Sequence, residues 1–280
     1  MAAFDFTPLL RTQYEAELLI EYQQKGSYTR QATWVKPVNQ ANVARFRKLI
    51  GRIDLTMKAA QAEIPITGGQ WDKVEVSPTA YYARSLIDDL QEADFTDIDS
   101  RRGLVMAQAM GCGVKTDSII FTAARDSLPT AQKYNSGTAD GLSMTLDKAL
   151  WLRGALTKAF VPLMDTVVFI SADEWNELVL TPQFANADYV TDLPWVAGAQ
   201  AKRWLGLLWV ELPAVPTDGT DNFCLCWHRY AMGYAEQKAI TASVTFVDDR
   251  DSHQIIHKMS GGAKRLWDVG VFEIACRRPS

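Results

Sequence analysis

Two cysteines and a histidine at alternate positions, Cys224, Cys226 and His228, come nearest to a chemical constellation in this 280-residue chain. On a strand, residues i, i+2 and i+4 project from one face, so these three side chains could meet one soft metal ion. Structural zinc sites usually space a chelating pair by two to four residues and need a fourth ligand, and none is placed nearby. The competing reading makes both cysteines small hydrophobes of a core strand that His228 ends. His253 and His257 share a strand face as well, but 3 His in the whole chain give little basis for histidine-centred catalysis. The neighbouring carboxylates Asp88–Asp89 and Asp248–Asp249 would point to opposite faces of a strand, and both pairs read as solvated surface. Gly111-Cys-Gly113-Val-Lys-Thr lacks the spacing of a phosphate loop and sits inside a helical pattern. Neither a GxSxG elbow nor an HExxH motif is present. Catalytic, cofactor and metal assignments are therefore none. A soluble metal-dependent enzyme using Cys224, Cys226 and His228 stays as the distant alternative.

The elements that would position such residues follow from composition and periodicity. Hydrophobic side chains make up 48% and charged ones 22%, with 17 Gly and 11 Pro, which excludes disordered and collagenous chains. The 29 basic and 33 acidic residues leave a net charge of −4, without the basic excess of a dedicated nucleic-acid binder. No apolar run reaches the roughly 18 residues of a membrane helix. The opening MAAFDFTPLLRTQYEAELL carries no basic leader before an apolar stretch and does not read as a signal peptide. Cysteines at 112, 224, 226 and 276 show no framework spacing, which suits a reducing interior.

The first ~25 residues show the i, i+4 spacing of a helix, and Gly26 ends the pattern. Alternation at Ile53, Leu55 and Met57, at Ile64 and Ile66, and at Val74 and Val76 predicts an extended β-hairpin over 52–77, with turn residues at Thr67-Gly68-Gly69-Gln70. A long hairpin is marginal alone and must lay its apolar face on something, here another subunit. Residues 79–98 fit helix or strand equally. A helix follows from Asp99 to about Thr116, where Gly103, Gly111 and Gly113 let another backbone come close. A second helix buries Leu146, Ala149, Leu152, Leu156 and Phe160, and Pro162 stops it. Thr166–Ile170 is a buried strand. It enters a capping box, Ser171-Ala-Asp-Glu174, whose helix turns Trp175, Leu178 and Val179 inward. Leu207–Leu212, Phe223–Trp227, Val244–Val247 and Val269–Ala275 complete the strands. Helices and strands mix without a βαβ rhythm, which predicts an α+β fold. With 9 Trp in the chain, Trp34 and Trp71 fall in extended arms rather than in core patterns. They are the candidate inter-subunit anchors, against the alternative that they pack on their own domain.

The order of these elements resembles the major capsid proteins of tailed bacteriophages, which share the Hong Kong 97 capsid fold. The resemblance is carried by VVFISADEWNELVLTPQFANADYV, GLLWVELPAVP, CLCWHRYAMGYAEQKAI and HKMSGGAKRLWDVGVFEIAC. Upstream it rests on the arm at 50–77 followed by YYARSLIDDLQEADFTDIDSRRGLVMAQAMG. It implies an N-terminal arm (1–49), an extended β-hairpin loop (50–78), a peripheral domain with a long spine helix (79–125 and 241–280) and an axial domain (126–240). It implies a shell subunit that forms hexamers and pentamers of an icosahedral phage head. Contacts between copies would fall at Trp34, Arg52, Lys58, Ile64, Ile66, Trp71 and Lys73. Further implied partners are a separate scaffolding protein, a portal, decoration or cement proteins, and packaged double-stranded DNA held without specificity, with no membrane. The implied location is the virion, assembled in the host bacterial cytoplasm. Lys58 and Lys73 lie in the arm, but no partner Asn or activating Glu is placed for a cross-link, so that chemistry is not carried over. Encapsulin nanocompartments share fold and length and form the alternative, which copurifying cargo protein would favour.

Overall fold

The computed structural model of the chain describes residues 26–38, 42–50, 57, 58, 60, 63, 69–88, 100–134, 143–181, 184 and 201–278. In chain order its elements begin with β1 (Trp34–Pro37), β2 (Ala44–Ile50), β3 (Gln70–Val76), β4 (Thr79–Asp88) and α1 (Ser100–Arg125). There follow β5 (Lys133–Tyr134), α2 (Leu146–Lys158), β6 (Thr166–Ser171), α3 (Ala172–Val179), β7 (Ala201–Trp204) and β8 (Leu207–Leu212). The last are β9 (Asp221–His228), β10 (Met232–Val247), β11 (Ser252–Arg265) and β12 (Val271–Arg277). This is the mixed α+β arrangement that the patterning predicts.

The apolar run of β6 has a direct cause. It lies inside a six-stranded sheet, ordered β5-β12-β9-β6-β8-β7, that is covered on both faces. Val167 and Phe169 of β6, with Leu225 and Trp227 of β9, meet Ile120, Phe121 and Ala124 of α1 on one face. Val168 and Ile170, with Cys224 and Cys226, meet Ala149, Leu152 and Leu156 of α2 and Trp175 and Leu178 of α3 on the other. A strand buried on both faces has no polar side to alternate with. The second sheet has four strands, β1-β10-β11-β4. The third is the β2–β3 hairpin, whose base residues Ala44, Phe46 and Val76 pack with Val38, Ala235 and Leu266.

Helix α1 joins the two larger sheets. Near its middle, Gln108 donates to Ser85 Oγ of β4 at 2.7 Å, and Thr116 Oγ1 lies 3.9 Å from Met259 Sδ of β11. Its last turns enter the core under the six-stranded sheet, where Arg125 Nε pairs with buried Glu273 of β12 at 2.7 Å. Arg265 of β11 closes its end by donating to the Ala124 and Ser127 carbonyls at 2.9 and 3.2 Å. Those carbonyls have no partner within the helix, and a guanidinium there also complements the helix dipole.

Several expectations are revised. Ala44 through Ile50 pair in register with Val76 through Gln70, so a hairpin strand begins ahead of the 52–77 span, whose Ile53, Leu55, Ile64, Ile66 and turn residues Thr67-Gly68 lie outside the described residues. Residues 79–88 form strand β4, since they add an edge to β11 over Thr79–Asp88. Helix α1 runs to Arg125, well past Thr116, because Ile120, Phe121 and Ala124 continue the buried side. Phe160 is 82% exposed rather than part of the buried stripe: α2 stops at Lys158, and a left-handed Phe160 (φ 56) turns the chain outward. Val179 is exposed too, as the last residue of α3. The helix expected over the first ~25 residues lies outside the described residues.

Of the glycines expected to admit a second backbone, Gly113 does so: a Cβ built there would stand 2.3 Å from the Gly26 carbonyl oxygen. Gly111 faces open space. Gly113→Ala must therefore push the 26–29 segment off α1, at an expected cost of about 1–3 kcal/mol, whereas Gly111→Ala removes a helix-weakening residue without a clash. Thermal unfolding of both variants checks this: a Gly113→Ala protein as stable as Gly111→Ala contradicts the packing.

A pH effect of known sign follows from His257. Burial lowers its imidazole pKa, and its Nδ1 lies 2.8 Å from Gln108 Oε1. A histidine with a lower pKa folded than unfolded binds its proton more readily in the unfolded chain. Stability from this residue is thus present above the unfolded value, about 6.5, and is lost as pH falls below it. Urea midpoints taken from neutral pH to about pH 5 should fall less steeply for His257→Gln than for the parent.

Candidate assembly surface

The β2–β3 hairpin has two unlike faces, fixed by its register. The pairs Ala44↔Val76 and Phe46↔Val74 turn toward the body, with Lys48↔Asp72 beyond them. Phe46 anchors this face: it is buried, and Trp34 meets it edge-on at 5.3 Å. Lys48 adds a second attachment, donating to the Leu266 carbonyl at 3.2 Å with its ammonium 5.3 Å from the Trp267 ring. The opposite face carries Arg45↔Glu75, Arg47↔Lys73 and Leu49↔Trp71. Near the base it is a charge ladder, with Arg45–Glu75 at 3.0 Å and Lys73–Glu75 at 3.2 Å. The Lys73 hydrogen bond and charge hold the Glu75 carboxyl below its usual pKa, with Arg45 adding to the effect. Farther along it becomes apolar, with Trp71 76% exposed opposite Leu49. A large aromatic held out by a rigid two-stranded base, rimmed by charge, is the anatomy of an anchor for another surface.

The residues expected at contacts between copies are placed unequally. Trp71 and Lys73 share the outer face of the hairpin. Lys58 is exposed. Trp34 is about one-third exposed and packs edge-on against both Phe46 and Tyr230 of its own chain. Arg52, Ile64 and Ile66 lie outside the described residues.

A second feature, missed in the sequence, is the attachment of the segment before β1. The Asp117 carboxylate on α1 accepts from Ser27 Oγ at 2.5 Å, from the Tyr28 N–H at 3.2 Å, and from the Thr29 N–H and hydroxyl at 3.0 and 2.6 Å. Nothing in the local pattern of α1 distinguishes Asp117 from a solvated helix acid, because its partners are some 90 residues away.

The Cys224, Cys226 and His228 set is not assembled as a metal site. Both cysteines are buried under α2 and α3, and burial raises the Cys226 thiol well above its ordinary range. His228 ends β9 and accepts from the Tyr230 N–H at 3.4 Å, outside any ligand group. The ligand atoms that do gather among the described residues belong to Glu174, Cys224 and Cys276. No helix of the described residues is long and apolar enough to cross a membrane.

Residues 7–278 match the family described as phage capsid protein. Among solved structures, the capsid of Ralstonia phage GP4 is similar with a TM-score of 0.70 at 13% identity, covering 100% of this chain and 99% of that one. The capsid of cyanophage P-SCSP1u gives 0.68 at 16% identity, covering 94% and 91%. The Mycobacterium phage Che8 structure gives 0.64 at 18%, covering 92% and 94%. No curated protein matches the chain by sequence.

Proposed function

Because this chain belongs to the phage capsid protein family and carries the Hong Kong 97-like fold of tailed-phage capsid subunits, we propose that its copies associate as hexamers and pentamers to close the head shell of a tailed phage. In this reading it is a major capsid protein with a structural role and no catalytic step. Its place is the virion, after assembly in the host cytoplasm around a separate scaffold and a portal. Packaged DNA meets an inner surface that does not read sequence, in keeping with a net charge of −4. Residues 79–125 and 241–280 would form the peripheral domain and 126–240 the axial domain, with β12 pairing into the six-stranded sheet and β10 spanning the boundary at 240. The hairpin would reach across neighbours, with Trp71, Lys73 and Lys58 at the contacts and Trp34 bracing the hairpin's root, while the segment before β1 stays pinned to its own α1. Arg52, Ile64 and Ile66 would extend the same contact.

The observation that carries this proposal is the outer face of the hairpin, where Trp71 stands 76% exposed on a strand pair whose other face is anchored. Long exchanged arms give repeated heterologous contacts an area that a compact surface lacks. Light scattering and negative-stain microscopy on the purified protein, alone and with a candidate scaffold, test it. Closed particles, capsomers or tubes are expected, and a strictly monomeric species under both conditions would overturn the proposal.

A further inference from the structure

Cys224 and Cys276 come from strands that pair antiparallel, with Cys224 opposite Ile274 and Cys276 opposite Asn222, so the two thiols are diagonal neighbours across β9 and β12. Both turn toward the face covered by α2 and α3. Glu174, in the first turn of α3, brings a carboxylate to the same place. One ligand atom from each of the three lies within 4.8 Å of the other two, and all three residues are buried.

We propose that Glu174, Cys224 and Cys276 form a binding site for one thiophilic divalent metal ion of the zinc class. Tetrahedral coordination with Zn–S near 2.3 Å and Zn–O near 2.1 Å sets the ligand atoms roughly 3.6–3.8 Å apart. From the observed spacing the three need to draw together by about 1 Å at most. The carboxylate is already aimed. Ser171 donates its N–H to Glu174 Oε2 at 3.1 Å and its hydroxyl to the same oxygen, and Asn222 donates to Oε1 at 3.0 Å. Oε1 thereby keeps a lone pair for a metal, with its orientation fixed by outer partners as metal-bound carboxylates require. A soft fourth ligand is at hand, since Met144 Sδ lies 3.7 Å from Cys276 Sγ.

Charge gives the second, independent argument. Lys148 of α2 is fully buried, yet its ammonium contacts are the Ala275 carbonyl at 3.3 Å and Cys276 Sγ at 3.7 Å, with the Tyr134 ring 5.9 Å away. Among the described residues it has no carboxylate within ion-pair distance. The Glu177 carboxylate interacts with it through charge but makes no ion pair, and a buried ammonium without a directly paired anion is costly. Two thiolates and one carboxylate around a divalent ion leave one negative charge, and Lys148 cancels it. The ion would tie the start of α3 to β9 and β12 near the end of the sheet, where Arg277 is exposed.

The experiment is a titration of reduced, chelator-treated protein with Cd2+, read by equilibrium dialysis and by the thiolate-to-cadmium charge-transfer band. One Cd2+ per subunit is expected, with the band intensity of two thiolates and a rise in melting temperature. Cys276→Ala should halve the band, and Glu174→Gln should keep the full band while weakening binding about tenfold or more. Cys226→Ala, on the same strand face but outside the group, should bind as the parent does. No saturable uptake, a wild-type band of one thiolate or none, or equal loss in Cys226→Ala would each overturn the site. The wild-type band intensity decides the matter even if the Cys224 and Cys276 variants fail to fold.

Discussion

Trp227→Ala should cost the subunit about 4 kcal/mol or more, the largest stability loss expected from a single substitution in this chain. Trp227 is fully buried between α1 and the six-stranded sheet, with ring centroids 4.6 Å from Phe169 and 5.8 Å from Phe121. Its indole N–H donates to the Ala32 carbonyl at 2.9 Å, so truncation opens a cavity and also strips a buried acceptor of its partner. It joins three elements at one point: β9 carries it, α1 covers it, and the segment before β1, which Asp117 also ties to α1, is held by it. A loss of this size approaches the whole stability of a marginal domain. Trp227→Phe keeps most of the ring contact while losing the hydrogen bond, and should cost roughly half as much. Urea unfolding of the unassembled subunit measures both. A Trp227→Ala protein within about 1 kcal/mol of the parent would mean that this core does not hold the domain together.

That core was legible in the sequence only in part. The β6 run and the Ser171–Glu174 capping box are local signals, and both stand where the pattern puts them. The strand that pairs with β3 is Ala44–Ile50, and it carries a weaker signal than the alternation that marks the arm. Ala-Arg-Phe-Arg-Lys has only two apolar residues to show its inner face, because Lys48 and Asp72 continue that face with a charge pair rather than with side chains of a core. The sequence shows neither the Asp117 hub nor the Glu174–Cys224–Cys276 cluster, because Asp117 and the two cysteines act through partners tens of residues away and Glu174 signals only its local cap. The pattern of α1 stops at Thr116 in the sequence for a related reason. Its buried side is set first by the four-stranded sheet and then by the six-stranded one, so its apolar stripe drifts. Trp34 leaves both readings open in the sequence. It reads either as an anchor for another subunit or as packing on its own domain; β1 pairs with β10 and brings its ring onto Phe46 and Tyr230, and about a third of it stays exposed.

Shell closure should fail for Trp71→Ala while the subunit itself stays as stable as the parent. Trp71 is mostly exposed and lies across from Leu49 on the face turned away from the body, so its removal should shift subunit stability by no more than about 0.5 kcal/mol. If it fills a pocket on a neighbour as a central anchor, each such contact weakens by about 2 kcal/mol or more, close to thirtyfold in its association constant. A closed shell repeats that contact at every subunit, so the critical concentration for particles rises far more steeply than one contact suggests. Replacing the residues between Ile50 and Gln70 by a short turn should act in the same direction, since the β2–β3 pairs that root the hairpin on Phe46 remain in place. Both variants are assayed by particle yield against protein concentration in light scattering, with melting temperature of the unassembled subunit measured alongside. Normal particles at the parental concentration would remove Trp71 from the contact. A large fall in melting temperature with assembly intact would make it part of its own subunit's packing, and the charge ladder of Arg45, Lys73 and Glu75 would then have to carry the contact alone. Exposed pairs of that kind contribute at most about 1 kcal/mol each and weaken with salt. Assembly that persists at high ionic strength in the parent therefore argues for Trp71, and assembly lost on adding salt argues for the ladder.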